Sequence, residues 1–168
     1  MMGLKVSPLS KAFNRSLFSC GVPELDIFIQ KFALQNQKKM YSKTYVAHAT
    51  NSDEIIGYYT ITAAEIIQKA LPEHINHPRY PVSAARICRL AVNNQHKGLG
   101  VGAYLLKDAL LKIVAAAQIM GVFAVVVDAK SDKAKAFYKN YGFIELMEQS
   151  LQLILPVATI EKAVQENL

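Results

Sequence analysis

The stretch from Arg89 to Gly102, RLAVNNQHKGLGVG, decides how the rest of the chain is interpreted. A short apolar run, Leu90-Ala91-Val92, leads through a polar segment into a turn with three glycines, Gly98, Gly100 and Gly102. An amphipathic pattern follows, so the order is that of a strand, a loop and a helix N-terminus. Glycines allow a ligand to approach the backbone, and the unpaired N–H groups of a first helical turn attract phosphate oxygens. Because Lys97 adds a cation, the stretch predicts a cradle for a phosphorylated cofactor.

Other interpretations of this glycine turn compete with the cradle. A tight joint between strand and helix is common for such turns, and that alternative stays open. A Walker-type loop is excluded, because the glycine before the helix is not followed by Lys and then Ser or Thr. The dinucleotide fingerprint fits Gly98, Gly100 and Ala103, and Asp128 ends the next apolar strand. However, five polar residues separate the strand from the first glycine, and the C-terminal remainder is too short for further βαβ units.

Composition places the chain among globular proteins of one domain. It has 168 residues, 52% of them apolar, and no apolar run approaches the roughly 20 residues of a membrane span. The N-terminus lacks the apolar region of a secretory signal, so we expect a cytoplasmic protein without membrane contact. The net charge of +6 favours anionic partners. The two cysteines and four histidines are scattered, so no metal site is predicted.

The periodicity of apolar residues predicts alternating strands and helices. Strands are expected at residues 4–8, 44–49, 55–62, 82–92, 122–127 and 146–155, with a hairpin at 51–53. Helices are expected from Pro23 onward and at residues 99–118, 133–138 and 158–166. Residues 63–70 are expected to be helical or irregular. Since 122–127 has no polar break, we expect a central strand that runs parallel to 82–92 through a helical crossover.

Two motifs in this framework resemble those of a known family. Gln95-His96-Lys97-Gly98-Leu99-Gly100 matches Q/R-x-x-G-x-G/A, the acetyl-CoA pyrophosphate loop of GNAT acetyltransferases. The segment from Ala136 to Phe143 resembles the A-x-x-F-Y-x-x-x-G-F signature that follows the crossover in that family. From about residue 18 to residue 160 the chain resembles the GNAT toxins of bacterial type II toxin-antitoxin systems. One departure is His96, where the loop usually carries glycine.

The resemblance implies a fold, a reaction and partners. The fold is α+β: a single GNAT domain over residues 1–168, with a mixed, mostly antiparallel central sheet, flanking helices and one parallel strand-helix-strand crossover. Such toxins acetylate the α-amine of aminoacyl-tRNA and thereby block translation. A ribbon-helix-helix antitoxin, which also binds operator DNA, neutralises them. For this chain we therefore expect acetyl-CoA as cosubstrate, aminoacyl-tRNA as substrate, such an antitoxin as partner, a homodimer, and operator DNA contacted only through the antitoxin.

The resemblance also assigns roles to residues of this sequence. Tyr138 is the expected catalytic residue, because a phenol can protonate the leaving CoA sulfur; core packing of a Tyr beside a Phe is the alternative. Three arginines near the cofactor strand are expected to contact tRNA phosphates, with surface solvation as the alternative: Arg79, Arg86 and Arg89. The expected cofactor-binding residues are Leu90, Ala91, Val92, Lys97, Gly98, Leu99, Gly100, Val101 and Gly102.

The acceptor amine is favoured by a pKa argument. The sequence identifies no clear carboxylate base, although Glu65, Asp128 and Asp132 stay candidates. An α-amine with a pKa near 8 is roughly one tenth neutral at pH 7, whereas for a lysine amine near 10.4 the share is about one part in two thousand. An enzyme with little basic help therefore suits the α-amine. The alternatives left open are acetylation of a protein lysine or small polyamine, and a non-catalytic acetyl-CoA-binding module.

Overall fold

The computed structural model describes residues 3–147 and 149–166. Its strands form a seven-stranded sheet in the order β1-β2-β3-β4-β5-β7-β6. Strands β4 and β5 run parallel, whereas the β1–β2, β2–β3, β5–β7 and β6–β7 pairs are antiparallel. This mixed sheet confirms the predicted fold class. The strands are β1 (Leu4–Pro8), β2 (Lys43–Ala49), β3 (Gly57–Ile66), β4 (Val82–Val92), β5 (Ala124–Asp128), β6 (Ile144–Leu146) and β7 (Gln149–Pro156).

Helices connect and flank these strands. They are α1 (Pro23–Ile27), a π-helical turn (Phe28–Phe32), α2 (Ala33–Lys38), α3 (Val101–Ala116), α4 (Asp132–Lys139) and α5 (Val157–Glu166), with 3₁₀ turns at Gln68–Ala70 and Asn94–His96. The helix start at Pro23 is confirmed, since proline is favoured in the first turn. Within the described residues, no helix combines the length and apolar character that crossing a membrane requires.

Contacts divide the chain into two compact units, of which the first comprises Met1–Thr62 and Cys88–Ala109. Its core contains Phe18, Phe28 and Tyr58, and the Tyr58 hydroxyl donates a hydrogen bond to the Leu25 carbonyl at 2.7 Å. At Gly57, a Cβ atom would lie 2.8 Å from the carbonyl oxygen of Ala91. The backbones of β3 and β4 therefore approach each other more closely here than a side chain allows.

The second unit comprises Ala63–Ile87 and Leu110–Leu168. Residues Ala124, Val125, Val126 and Val127 are all 0% exposed, which confirms the prediction of a buried central strand. The parallel register pairs Ala84 with Ala124. Ile66, Leu146 and Ile154 pack with Val126 in this unit's core.

Three predicted segments need correction. Residues 63–70 are not a helix: β3 continues to Ile66, because that side chain is 4% exposed and packs in the second unit's core, and only a 3₁₀ turn follows. Residues 146–155 are not one strand, since β6 pairs antiparallel with β7, Ile144 opposite Ile154. The strand expected from residue 55 begins at Gly57, although Ile55 and Ile56 are buried. Apolar periodicity predicts burial in each case, but not where pairing starts or stops.

Candidate active site

The segment between β4 and the glycine turn is held in place by hydrogen bonds within the first unit. Asn93 is 8% exposed, and its N–H donates to the Ile56 carbonyl at 2.8 Å. Its side-chain oxygen accepts from the N–H of Gln95 at 3.0 Å, which caps the 3₁₀ turn Asn94–His96. The strand end therefore passes into the turn with a defined geometry.

The glycine turn itself has the backbone that an anion cradle requires. Gly98 and Gly100 have φ values of 78° and 83°, in the left-handed region that favours glycine. Added Cβ atoms would meet nothing within 4 Å at either position, so the space beside the turn is open. Helix α3 begins at Val101, and its first amides have no acceptor within the helix. These N–H groups at the positive end of the helix dipole fit the diphosphate of a CoA thioester.

Lys97 has a structural partner in addition to its predicted role. Its ammonium group donates to the carbonyl oxygen of Cys20 at 2.6 Å, and the N–H of Asn94 donates to the Ser19 carbonyl at 2.8 Å. These two bonds attach the turn to the segment just before α1. Burial raises the pKa of the Cys20 thiol to about 11, so the thiol stays protonated at neutral pH and is no nucleophile.

A cavity of about 630 Å³ also lies in the first unit, lined in part by Asn93, Asn94 and Gln95. Its other polar groups include the carboxylates of Asp53 and Glu54. Because these negative charges repel phosphate oxygens, the glycine turn suits the diphosphate better than this cavity does.

Tyr138 lies on α4 in the second unit and is 8% exposed. Its ring packs edge-on against Phe137 and Phe143, with centroids 5.2 and 5.4 Å apart. Burial, and secondarily the charge of Asp128, raise the pKa of the Tyr138 phenol to about 12. In the described part of the chain, no residue forms a hydrogen bond with its hydroxyl. The phenol is therefore neutral at physiological pH and able to donate a proton.

The three arginines expected to bind tRNA have different surroundings. Arg79 is exposed in the loop before β4, and its carbonyl accepts from the Gln68 side chain at 3.2 Å. The guanidinium of Arg89 lies over the ring of Phe28, 3.7 Å from its centroid. Arg86 forms an ion pair with Asp128. Of the three, Arg79 is the exposed residue, and within the described part of the chain its side chain has no such aromatic or acidic neighbour.

A cluster that sequence reasoning missed surrounds Asp128 in the second unit. One carboxylate oxygen accepts from Arg86, and the other accepts from the Gln152 side chain at 2.8 Å. Asp128 is directly opposite Gln152 in the β5–β7 ladder. The sequence drew attention to Asp128 as the end of an apolar strand, but the cluster depends on which strands are neighbours.

The predicted site residues thus fall into two groups, each defined within its own unit. All nine predicted cofactor residues lie at the end of β4, in the glycine turn or at the start of α3, in the first unit. Tyr138, Arg79 and Arg86 belong to the second unit, and Arg89 to the first. Over the described ranges, no three His, Cys, Asp or Glu side chains form a group that could hold a metal ion.

Comparison with known proteins assigns the family. Residues 20–152 match the family model described as an acetyltransferase (GNAT) domain. The chain belongs to the GNAT acetyltransferases. As a GNAT chain it is an acyltransferase, and the matched residues include the Gly98–Gly100 turn.

Curated relatives and solved structures agree with this family. The tRNA-acetylating toxin of Mycobacterium tuberculosis (strain ATCC 25618 / H37Rv) is 32% identical over 149 residues, 88% of each chain. The probable toxin TacT of Sinorhizobium fredii (strain NBRC 101917 / NGR234) is 31% identical over 157 residues, 88% of this chain and 87% of the relative. AtaT complexed with acetyl-methionyl-tRNAfMet is 26% identical, covers 96% of this chain and 99% of its own, and has a TM-score of 0.88. AtaTR bound with AcCoA is 26% identical, covers 98% and 99%, and has a TM-score of 0.86.

Proposed function

We propose that this GNAT enzyme transfers the acetyl group of acetyl-CoA to the α-amino group of aminoacyl-tRNA and, as the toxin of a type II toxin-antitoxin system, inhibits translation. The observation that carries the proposal is the 32% identity, over 88% of each chain, to a tRNA-acetylating toxin. The open glycine turn supports it, because its amides suit the diphosphate of acetyl-CoA.

The first unit binds and polarises the acyl donor. Backbone N–H groups from Lys97 to Gly102 hold the diphosphate, and Leu90, Ala91 and Val92 supply main-chain groups along the pantetheine arm. An N–H group near the end of β4 polarises the thioester carbonyl in the manner of an oxyanion hole. Acetyl-CoA supplies an activated acyl group when bound. The protein's part is to orient that group and to stabilise the charge that develops on its oxygen.

Tyr138 completes the reaction as general acid. The acceptor nitrogen forms a bond to the acetyl carbon, the carbon–sulfur bond breaks, and the phenol gives its proton to the departing sulfur. The nitrogen loses its proton to solvent, and the phenolate takes up a proton from solvent before the next turnover. With its pKa raised to about 12, Tyr138 is protonated and ready to donate at the start of every turnover.

The proposal extends to partners and location. A ribbon-helix-helix antitoxin binds the toxin and carries the only contact with operator DNA. The toxin is a homodimer of single GNAT domains spanning residues 1–168, and it acts in the cytoplasm, where aminoacyl-tRNA is found. Arg79, Arg86 and Arg89 contact tRNA phosphates. Arg86 does so while it is paired with Asp128, and Arg89 does so while it is stacked on Phe28.

The test is a direct measurement of the product. The protein is incubated with acetyl-CoA and a mixture of charged tRNAs, and the aminoacyl-adenosine released by nuclease is weighed by mass spectrometry. We expect the mass of one added acetyl group. Acetylation of lysine peptides or polyamines, with none on any charged tRNA, would refute the proposal in favour of another GNAT substrate.

A further inference from the structure

Gly57 is the first residue of β3 and is buried between two other elements of the first unit. A Cβ atom at this position would lie 2.8 Å from the carbonyl oxygen of Ala91, 2.9 Å from Leu105 Cδ1 and 3.2 Å from Val101 Cγ1. Carbon atoms in contact prefer separations of about 3.5–4.0 Å, so a side chain fits here only if its neighbours move. Gly57 therefore contacts both the end of β4 and the start of α3, which carry the proposed acetyl-CoA site.

The two sides of this contact differ in how easily they yield. Val101 and Leu105 meet the added atom with the ends of their side chains, which can turn aside by a change of rotamer. Ala91 meets it with a main-chain oxygen, which moves only if the whole planar peptide group moves. An added Cβ at Gly57 is therefore accommodated easily on the helix side and poorly on the strand side.

The backbone of Gly57 has little freedom to retreat from Ala91. The residue before it, Ile56, donates its N–H to the Ala47 carbonyl at 2.8 Å on the side of β2. The carbonyl of Ile56 accepts from the N–H of Asn93 at 2.8 Å on the side of β4. Because both neighbours hold this point of β3, an added Cβ would displace the peptide group that follows the Ala91 carbon.

This peptide group joins Ala91 to Val92, and its other end is a hydrogen-bond donor. Its oxygen lies beside Gly57, and in a trans peptide group the oxygen and the N–H point in opposite directions. The N–H of Val92 therefore points to the side away from Gly57. The pairing of β4 with β5 covers Ala84 to Ile87, so Val92 lies beyond it and its N–H is placed to serve a ligand.

We propose that Gly57 is a positioning residue for the acyl donor: its missing side chain keeps the Ala91–Val92 peptide group in the orientation in which the Val92 N–H polarises the thioester carbonyl. The inference rests on the proposed function, which assigns this polarisation to an N–H group near the end of β4, and it adds the residue that fixes the direction of that group. Gly57 acts through the peptide group and not by contact with acetyl-CoA. Removal of one oxyanion-hole donor typically lowers kcat by about 10²–10³-fold, so its orientation is critical.

The test observes the thioester carbonyl itself and needs no acceptor. Acetyl-CoA labelled with ¹³C at the acetyl carbonyl is bound to the original protein and to Gly57→Ala, and the carbonyl stretching band is recorded by isotope-edited infrared spectroscopy. A hydrogen bond to the carbonyl oxygen weakens the C=O bond and lowers the frequency of this band. We expect a frequency below that of free acetyl-CoA in the original protein, and a shift back towards the free value in Gly57→Ala.

Leu105→Ala is the matched control, because it changes the same contact from the helix side and leaves the Ala91 peptide group in place. Since Leu105 is 0% exposed, its truncation should lower the melting temperature, but the carbonyl band should stay where it is in the original protein. The double variant Gly57→Ala/Leu105→Ala makes room on the helix side and keeps the contact with the Ala91 oxygen. It keeps the test valid if Gly57→Ala does not fold, and its band should shift as in Gly57→Ala.

Melting temperature and the affinity for CoA show whether each variant is folded and binds the donor. An unmoved band in a folded Gly57 variant would overturn the assignment, as would an equal shift in Leu105→Ala, which would indicate a general loss of packing. Loss of CoA binding by a folded Gly57 variant would overturn it too, since the glycine turn would then be what Gly57 positions. A band at the free value in the original protein would instead refute the polarising N–H group of the proposed function.

Discussion

At the scale of single residues, the proposed chemistry depends on the hydroxyl of Tyr138. The sequence indicates this residue as a candidate, because the A-x-x-F-Y-x-x-x-G-F signature is local. It could not predict the residue's electrostatic surroundings, since Asp128 lies on another element and its partners Arg86 and Gln152 lie on two further strands. Burial keeps this phenol protonated at physiological pH, so its proton is present for donation, but the raised pKa also makes it a weaker acid than an exposed phenol.

Replacing Tyr138 with Phe tests the general-acid role. The ring contacts with Phe137 and Phe143 remain, so we expect a folded protein with unchanged affinity for acetyl-CoA. The value of kcat should fall by about 10²-fold or more, because general acid catalysis typically contributes 10²–10⁴-fold. Tyr141→Phe is the matched control: this tyrosine is 44% exposed, is in contact with Phe137, and should retain full activity. Equal turnover in the two variants would remove Tyr138 from the mechanism.

At the scale of elements, the end of β4, the glycine turn and the start of α3 form the proposed acetyl-CoA site. Their order could be predicted from glycine spacing and apolar periodicity, and the bounds of β4 match the prediction. The bond from Lys97 to the Cys20 carbonyl could not be predicted, because it joins residues 77 positions apart. Sequence patterns indicate which backbone can bind an anion, but not which distant segment holds it in place.

Substituting Gly100 with Ala tests the turn as an element. An added Cβ meets no atom within 4 Å, so the cost comes from the backbone, whose φ is 83°. A residue with a Cβ costs about 1–2 kcal/mol in the left-handed conformation. We expect this cost either to lower the free energy of unfolding or to be relieved by a change in the conformation of the turn. The dissociation constant for acetyl-CoA should rise about tenfold or more. Gly121→Ala is the control, as its backbone is not left-handed and its nearest atom, Ser83 Oγ, is 3.9 Å away. Similar acetyl-CoA affinity in both variants would argue against the cradle.

At the scale of the whole molecule, the net charge bears on nucleic-acid binding and the buried tyrosines bear on stability at alkaline pH. The net charge of +6 suits a nucleic-acid substrate, but only the structure distinguishes a cation directed to solvent from one already paired. Likewise, composition counts eight tyrosines without showing that burial raises the pKa of Tyr58, Tyr59 and Tyr138.

These tyrosines predict a loss of stability at alkaline pH. The folded chain keeps the Tyr138 proton until about pH 12, whereas the unfolded chain releases it near the ordinary pKa of about 10. The contribution of the buried, protonated phenol to the free energy of unfolding is therefore complete below about pH 10. It is lost as the pH rises towards 12, and the loss reaches about 3 kcal/mol for a pKa shift of about two units. Urea unfolding across this range should show a shallower decline for Tyr138→Phe than for the original protein. Parallel declines would mean that the phenol is not shielded from solvent.

Salt dependence should separate the arginines. If Arg79 contacts a tRNA phosphate, Arg79→Ala should reduce the slope of log KM for charged tRNA against log salt concentration by about one. Arg89→Ala should change this slope less and lower the melting temperature instead, because its guanidinium packs 3.7 Å from the Phe28 ring centroid. The opposite pattern would assign the phosphate contact to Arg89.

Local patterns in the sequence predicted the buried strands and the crossover helix, whereas the fold class followed from the resemblance to GNAT acetyltransferases. It misplaced β3, since the extension to Ile66 is stabilised by packing with Val126 and Leu146 from much later in the chain. It also treated Arg86 as a surface cation, because its partner Asp128 becomes a neighbour only when β4 and β5 pair. Local motifs therefore indicate candidate site residues, but they do not indicate the ion pairs and hydrogen bonds that surround them.

We propose that backbone amides of the glycine turn hold the diphosphate of acetyl-CoA, and amide resonances test this most directly. The ¹⁵N-labelled protein is titrated with acetyl-CoA and, in parallel, with acetyl-pantetheine, which lacks the diphosphate. We predict that the amide signals of Gly98, Gly100 and Gly102 shift with acetyl-CoA and do not shift with acetyl-pantetheine. Signals that stay unmoved with acetyl-CoA, while those of Asn93, Asn94 and Gln95 beside the acidic cavity shift instead, would contradict the claim.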